Sequence, residues 1–159
     1  FLGSCIDLQR DFSLKEEIAK TQLINQSQKL SILNSNSVSL QVRRGDYLNV
    51  GNVICDTEYY RKSIKHILEN VQNPVFFVFS DDIDWCKSKL KLGVDLIFIE
   101  PNLQLPFEDM HLMSCCKHNI IVNSTYGWWG AKLNASADSI KIAPIKWQHP
   151  LNSKEFIRF

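Results

Sequence analysis

Two arginines followed by a glycine and an aspartate form the segment with the clearest chemical use, Arg43-Arg44-Gly45-Asp46. A guanidinium binds phosphate oxygens through two parallel hydrogen bonds, and a glycine lets the backbone come close to a ligand. The segment therefore suits a diphosphate. The alternative interpretation is that Asp46 neutralises one arginine in a turn at the end of a strand.

A second candidate for anion binding is Asn123-Ser124-Thr125, which lies where a helix is expected to begin. The first turn of a helix has free backbone N–H groups and the positive end of the helix dipole, and the hydroxyls add donors. The alternative is plain helix capping by Ser124 or Thr125. The sequence has neither Gly-x-Gly-x-x-Gly nor Gly-x-x-x-x-Gly-Lys-Ser/Thr, so ordinary dinucleotide and P-loop binding are disfavoured.

Acidic residues accompany these segments. Asp81 and Asp82 follow an apolar run, where they have the chemistry to hold a metal, a ribose or a guanine edge; the alternative is that one of them caps the next helix. Glu108 and Asp109 fall in the first turn of a helix, where carboxylates are favourable in any case. The four histidines show no spacing typical of ligands, so no zinc site is expected.

The elements that position these residues alternate along the chain. Strands are predicted at residues 38–42, 75–79, 95–99, 119–122 and 140–143, and helices after Asp56, at 83–90, from Pro106 and at 128–135. This order predicts an α/β fold, a Rossmann-like parallel sheet with helices on both faces. Because ligands bind outside the carboxyl ends of such strands, the candidate residues are expected to converge at one edge.

Two local patterns support this organisation. Asp56 is predicted to cap a helix that presents one apolar face, formed by Tyr60, Ile64, Ile67, Leu68 and Val71. The adjacent Trp128 and Trp129 are interpreted as core residues rather than as a stacking platform.

The chain of 159 residues has the length of about one domain. Residues 1–36 are predicted to be a lead-in or connector, with a helix from about Leu14 because Ser13 and Glu16 form a capping box. Residues 37–159 are predicted to be the Rossmann-like domain. The lead-in suggests a connection to a part of the protein that is absent here.

Charge and composition exclude several function classes. The formal net charge is +1, so there is no global field to hold nucleic acid or an anionic membrane. The apolar stretches are far shorter than the roughly 20 residues of a transmembrane helix. Five cysteines without a Cys-x-x-Cys pair favour a reducing compartment. With no signal peptide at its beginning, the chain is expected to be cytoplasmic.

Taken together, the motifs resemble those of the α-1,2-fucosyltransferases, a group in glycosyltransferase family 11. The segment 42–47 resembles the family's His-x-Arg-Arg-Gly-Asp-Tyr motif, although Gln41 stands where that motif begins with His. The next motifs of the family occur in the same order in this chain, at residues 79–82 followed by Trp85 and then at residues 108–114. The stretch 116–131 resembles the family's Asn-Ser-Ser-Phe-Ser-Trp-Trp block. The resemblance covers roughly residues 37–147.

The resemblance implies an enzyme that transfers L-fucose from GDP-β-L-fucose to a galactose hydroxyl of a glycan, inverting the anomeric centre without a metal or other cofactor. Such enzymes are similar to GT-B glycosyltransferases, in which two Rossmann-like halves face each other and the carboxyl-terminal half binds the donor. This chain would be that half, with the amino-terminal acceptor domain absent. A bacterial protein in the cytoplasm, or peripheral at the inner membrane, is expected.

The same resemblance implies roles for individual residues. Arg43 would bind the β-phosphate and stabilise the charge of departing GDP. Arg44 and Asp46 would hold the loop, with Asp46 pairing an arginine or approaching the sugar. Asp82 would either touch the donor or fix the Arg43 loop. Asp109 resembles the acidic residue that related enzymes use on guanine.

The remaining implied donor-site residues are Ser124, with the neighbouring Asn123 and Thr125, which would complete the phosphate cradle, and Gln41. A glutamine can donate a hydrogen bond as a histidine does, but it cannot move a proton. This difference leaves a second function open, a GDP-sugar-binding module without transferase activity.

Overall fold

The computed structural model describes residues 26–45, 55–102, 105–147 and 154–159. The helices are α1 (Gln26–Leu33), α2 (Thr57–Asn70), α3 (Ile83–Lys89), α4 (Pro106–Cys115) and α5 (Thr125–Lys132). The strands are β1 (Asn36–Val42), β2 (Pro74–Ser80), β3 (Leu96–Phe98), β4 (His118–Ile120), β5 (Lys141–Ala143) and β6 (Phe156–Arg158). The predicted helix near Leu14 lies outside the described residues.

The described strands form one six-stranded sheet in the order β3-β2-β1-β4-β5-β6, and every neighbouring pair is parallel. This is the strand order of Rossmann dinucleotide-binding sheets. The chain runs outward from β1 to β3 and then returns to place β4 on the other side of β1. The point at which the order reverses therefore lies between β1 and β4, where the fold predicts a ligand crevice.

Helices cover both faces of the sheet, as the sequence predicted. Successive side chains of β2 point to opposite faces, because a strand has a period of two residues. Phe76 and Val78 pack in one cluster with residues of α2 and α3, whereas Phe77 and Phe79 pack in another with Ile32 of α1 and with residues of α4. The continuous apolar run of β2 is thus buried on both sides.

Local signals fix several helix ends. Asp56 caps α2 by accepting a hydrogen bond from the Tyr59 N–H at 2.8 Å, and Pro106 occupies the first turn of α4. Both were predicted. Leu68, however, is 51% exposed rather than part of the buried face of α2.

The structure differs from the sequence-based prediction at three other elements, α1, α5 and β6. Helix α5 begins at Thr125, because Ser124 caps it there; this agrees with the start expected at residues 123–125 but precedes the predicted span 128–135 by three residues. Helix α1 and strand β6 were not predicted. Helix α1 has a polar sequence in which Ile32 is the buried residue, so it lacks the apolar spacing that identifies a helix.

The face of β1 that meets α4 is polar although it is buried. Ser39 accepts a hydrogen bond from the Asn119 side chain at 2.8 Å, and Asn119 accepts one from the Asn134 side chain at 2.6 Å. Asn119 is fully buried and Asn134 nearly so. Buried polar groups are tolerated when they are paired in this way, and the pairs tie β1, β4 and the end of α5 together.

Among the described residues, no helix is long and apolar enough to cross a membrane.

Candidate functional site

A cavity of about 460 Å³ opens at the carboxyl edge of the sheet, where β1 and β4 diverge. Residues at or after the ends of β1, β2, β3 and β4 line it, which confirms the predicted convergence at this edge. Its lining comprises Gln41, Val42, Arg43, Phe79, Ser80, Asp81, Pro101, Asn102, Pro106, Asp109, Ser124, Thr125 and Tyr126. The volume falls in the range of sites for small ligands and cofactors.

The turn after β1 is held by Asp81, which follows β2. Asp81 Oδ2 lies 3.0 Å from Arg43 Nη1, and Asp81 Oδ1 accepts a hydrogen bond from the Arg44 N–H at 2.9 Å. A Cβ at Gly45 would lie only 2.5 Å from Asp81 Oδ2, so this close approach requires glycine. The functions considered for Asp81 were contact with a metal, a ribose or a guanine edge, or a helix cap, so its contacts with Arg43 and Arg44 were not predicted. Asp46 lies outside the described residues.

Asp82 has a different function from its neighbour. Its carboxylate caps α3 by accepting from the Trp85 N–H at 3.2 Å, and it lies 3.4 Å from Arg44 Nε. The Arg44 guanidinium also stacks on the Trp85 ring, 3.6 Å from the ring centre. Arg44 and Asp82 are not among the residues that line the cavity. Both therefore hold the turn in place, while Arg43 faces the cavity.

The N-terminus of α5 supplies the second candidate anion site. Ser124 caps the helix, with its Oγ accepting from the Gly127 N–H at 3.5 Å, and it is 7% exposed. Thr125 is exposed and lines the cavity, whereas the Asn123 side chain is buried behind it. The capping interpretation of Ser124 is confirmed, and the same geometry leaves the first turn of α5 facing the cavity.

Gln41 lies at the end of β1 and connects it to the loop after β4. Its Oε1 accepts from the Val122 N–H at 3.2 Å, and its Nε2 donates to Ser124 Oγ at 3.4 Å. The side chain is 4% exposed and sits against the backbone of Gly127. The amide thus bridges the switch point of the sheet.

Asp109 contributes a carboxylate from the first turn of α4. It accepts a hydrogen bond from the Asn102 N–H at 3.0 Å, and the neighbouring Glu108 accepts one from the Asn102 side chain at 2.7 Å. Burial raises the pKa of Asp109 to about 6, and the nearby charge of Glu108 adds to the rise. Tyr126, also in the cavity wall, has a raised pKa because it is buried and lies near Asp109.

The prediction of two core tryptophans is met only in part, because both rings are half-buried and Trp129 belongs to none of the core clusters of the described residues. Trp128 packs against a cluster formed by Ile121, Ala131, Ala143 and Phe156, and meets Trp129 edge to face. In the part of the chain that the structure describes, no three His, Cys, Asp or Glu residues are grouped as a metal site would need.

The fold is a Rossmann-like α/β domain with a cavity at its switch point, lined by Arg43 and by the first residues of α5. Residues 7–157 match the family described as "Glycosyl transferase family 11". The chain belongs to this family, which agrees with the resemblance drawn from its motifs.

Curated relatives are consistent with this membership. The chain is 47% identical over 133 residues to an alpha-1,2-colitosyltransferase of Escherichia coli, covering 75% of this chain and 44% of that protein. It is 36% identical over 158 residues to the O-antigen biosynthesis glycosyltransferase WbnK of Escherichia coli, covering 91% and 52%. It is 33% identical over 113 residues to human galactoside alpha-(1,2)-fucosyltransferase 1, covering 67% and 31%.

The chain therefore spans about half the length, or less, of the curated relatives it matches. No solved structure matches it significantly.

Proposed function

We propose that this chain is the donor-binding half of an α-1,2-fucosyltransferase that transfers L-fucose from GDP-β-L-fucose to a galactose hydroxyl of a glycan. The observation that carries the proposal is the cavity at the switch point, where Arg43 and the N-terminus of α5 face the same space. Together they offer a guanidinium and free amides to one diphosphate.

In the proposed reaction, the bond between the anomeric carbon of fucose and the β-phosphate oxygen breaks. The acceptor oxygen forms its bond on the opposite face, so the configuration inverts. Negative charge then accumulates on the departing diphosphate, and Arg43 stabilises it more strongly in the transition state than in the ground state. Because the charge of Arg43 does not depend on a bound ion, we expect transfer without a metal.

Asp109 is proposed to read the guanine. A carboxylate accepts hydrogen bonds, and guanine presents two adjacent N–H donors on its Watson–Crick edge, which uracil and adenine do not. The position of Asp109 in the cavity wall, beside Asn102 and Tyr126, supports this assignment.

The acceptor proton must pass to a base. The Gln41 amide cannot take it, and its groups are engaged with Val122 and Ser124. We propose that a further domain of the whole protein, in the part of its relatives' length that this chain does not cover, holds the acceptor. If it also holds the base, this chain alone would bind the donor without turning it over, which is the second function considered.

One comparison favours a related donor sugar. Colitose is L-fucose without its 3-hydroxyl, and the relative with 47% identity is named for colitose. A pocket rejects the loss of a hydroxyl strongly only when it hydrogen-bonds that hydroxyl. A competition between GDP-fucose and GDP-colitose for the chain decides which sugar the site accepts.

The proposal is tested by calorimetric titration of the chain with GDP, with UDP and ADP as controls. Selective binding of GDP supports the donor-binding function, and equal binding of all three, or of none, contradicts it. A transfer assay with a galactoside acceptor then counts GDP release above hydrolysis in buffer. Transfer by this chain would exclude the binding-only function, and its repetition with EDTA tests the metal-free mechanism.

A further inference from the structure

The hydroxyl of Ser124 has a defined direction, which the surrounding donors impose. A serine hydroxyl has two acceptor positions and one proton. Gln41 Nε2 and the Gly127 N–H both donate to Ser124 Oγ, at 3.4 and 3.5 Å. With both acceptor positions used, the proton is available for donation, and none of the described residues accepts it. Ser124 lines the cavity, so the proton is available to water when the cavity is empty and to an anionic ligand when one is bound there.

The orientation of the Gln41 amide is set in turn by the backbone. The Val122 N–H can only donate, so the atom that meets it at 3.2 Å must be Oε1. The amide nitrogen then faces Ser124. If the amide were turned over, two donors would oppose each other at Val122.

Gly127 makes room for this arrangement. A Cβ at that position would lie 1.8 Å from Gln41 Oε1 and 2.8 Å from Gln41 Nε2. Any side chain there would displace the amide from both of its partners. Gln41, Ser124 and Gly127 thus form one unit in which each part depends on the others.

We infer that Gln41 is a positioning residue, which acts through Ser124 by directing the hydroxyl proton of that residue towards a phosphate oxygen in the cavity. The inference rests on the proposed function in taking the ligand to be a diphosphate. A positioning function can be distinguished from direct contact between Gln41 and the donor. If Gln41 acts through Ser124, substituting Gln41 has no further effect once the Ser124 hydroxyl has been removed.

A double-mutant cycle tests this dependence. The four proteins are the wild type, Gln41→Met, Ser124→Ala and the double variant, and the probe is pyrophosphate, titrated by calorimetry. We expect each single substitution to weaken binding about tenfold, the worth of a hydrogen bond to a charged oxygen. We expect the double variant to bind no more weakly than Ser124→Ala. Losses that multiply in the double variant would overturn the inference.

Two further variants protect the test against misfolding. Gln41→Met leaves the Val122 N–H without an acceptor, whereas Gln41→Glu keeps that acceptor and cannot donate, so the Ser124 proton turns towards it. Gln41→Glu should therefore fold, as judged by circular dichroism, and lose more pyrophosphate binding than Gln41→Met, because the repulsion of its negative charge adds to the loss of the directed Ser124 proton. Binding equal to that of the wild type would overturn the inference. Gln72→Met, a change of the same type at an exposed position before β2, is the matched control and should bind like the wild type.

GDP is titrated against the same proteins to separate the two proposals. Pyrophosphate binding with the expected coupling, but without GDP binding, overturns the proposed function and supports the inference. Binding of neither compound by the wild type overturns both.

Discussion

The carboxylate of Asp81 lies 3.0 Å from the guanidinium of Arg43 and also accepts a hydrogen bond from the next backbone N–H, that of Arg44. Asp81 thus holds the described start of the turn after β1, together with Asp82, which pairs with Arg44. Because the Arg43 and Asp81 side chains are both partly exposed, their ion pair contributes little to folding stability. Its effect is to place the Arg43 guanidinium in the cavity.

Arg43→Ala is therefore expected to weaken GDP binding by at least about tenfold, since it removes a charged hydrogen-bond donor. The melting temperature should change little, because Asp81 still accepts from the Arg44 N–H. Calorimetry and thermal denaturation measure the two effects, and Arg61→Ala, on an exposed part of α2, is the control. A large loss of stability with unchanged binding would show that the ion pair is only structural.

Gly45→Ala should weaken GDP binding without any change of charge. Its Cβ would lie 2.5 Å from Asp81 Oδ2, so either the turn or the Asp81 carboxylate must move, and either movement disturbs the contact between Oδ2 and Arg43. The affinity of the variant for GDP, measured by calorimetry, should fall towards that of Arg43→Ala. Affinity equal to that of the wild type would mean that the turn can shift without moving the guanidinium.

The ionisation of Asp109 is expected to lower the stability of the fold and to raise the affinity for GDP as the pH rises. Burial raises the pKa of this carboxyl to about 6 in the folded chain, above the value of about 3.9 for an unfolded aspartate. The folded state therefore holds the proton more tightly, and the contribution of Asp109 to stability falls as pH rises from about 4 to about 6. If the ionised carboxylate binds guanine, the affinity for GDP rises with pH until the carboxyl is ionised, and it levels off above about pH 6.

Asp109→Asn separates these effects from the titration of GDP itself. The variant keeps an acceptor for the Asn102 N–H but has no proton to exchange, so the differences from the wild type in both stability and affinity between pH 4 and pH 7 belong to Asp109. Urea denaturation and calorimetry across this range provide the measurements. Parallel profiles for the two proteins would show that Asp109 neither titrates there nor contacts the base.

Trp128→Ala should destabilise the fold rather than act on the site. The ring packs on the cluster that contains Ile121 and Phe156 but is only half-buried, so the loss should be about 2–4 kcal/mol. Trp129→Ala should cost less, because Trp129 contacts its neighbour and is not part of that cluster. Urea denaturation of both variants tests the order, and a larger loss for Trp129 would contradict it.

The parts of the fold that could be predicted from sequence are those with strong local signals. The run at β2, the cap at Asp56 and the proline at the start of α4 each have one dominant physical cause. The three-residue β6 has no such local signal, because it is defined by pairing with β5, which lies more than ten residues earlier in the chain. Helix α1 was not predicted, because a single buried residue, Ile32, cannot show the 3.6-residue hydrophobic periodicity of an amphipathic helix.

The site divides in the same way. The convergence of Arg43, Asp81 and Ser124 follows from the rule that places the loops after parallel strands at one edge, and it was predicted. A place for Asp109 in the donor site was expected only from the family resemblance. The Asp81–Arg43 pair was not predicted, because in sequence Asp46 was the nearer carboxylate. The register of β1 and β2 pairs Val42 with Ser80, and so brings Asp81 next to Arg43. Distance along the sequence does not reveal this pairing.

The buried amide of Asn134 has a consequence for how this protein can be made. Asn134-Ala135-Ser136 and Asn123-Ser124-Thr125 are both acceptor sequences for N-linked glycans. A glycan on Asn134 would break its bonds to Asn119 and Ser139, and one on Asn123 would occupy a buried position beside the cavity. In a eukaryotic secretory host, a chain that received either glycan before folding would lose these buried contacts, so the protein is best expressed in a host without N-glycosylation.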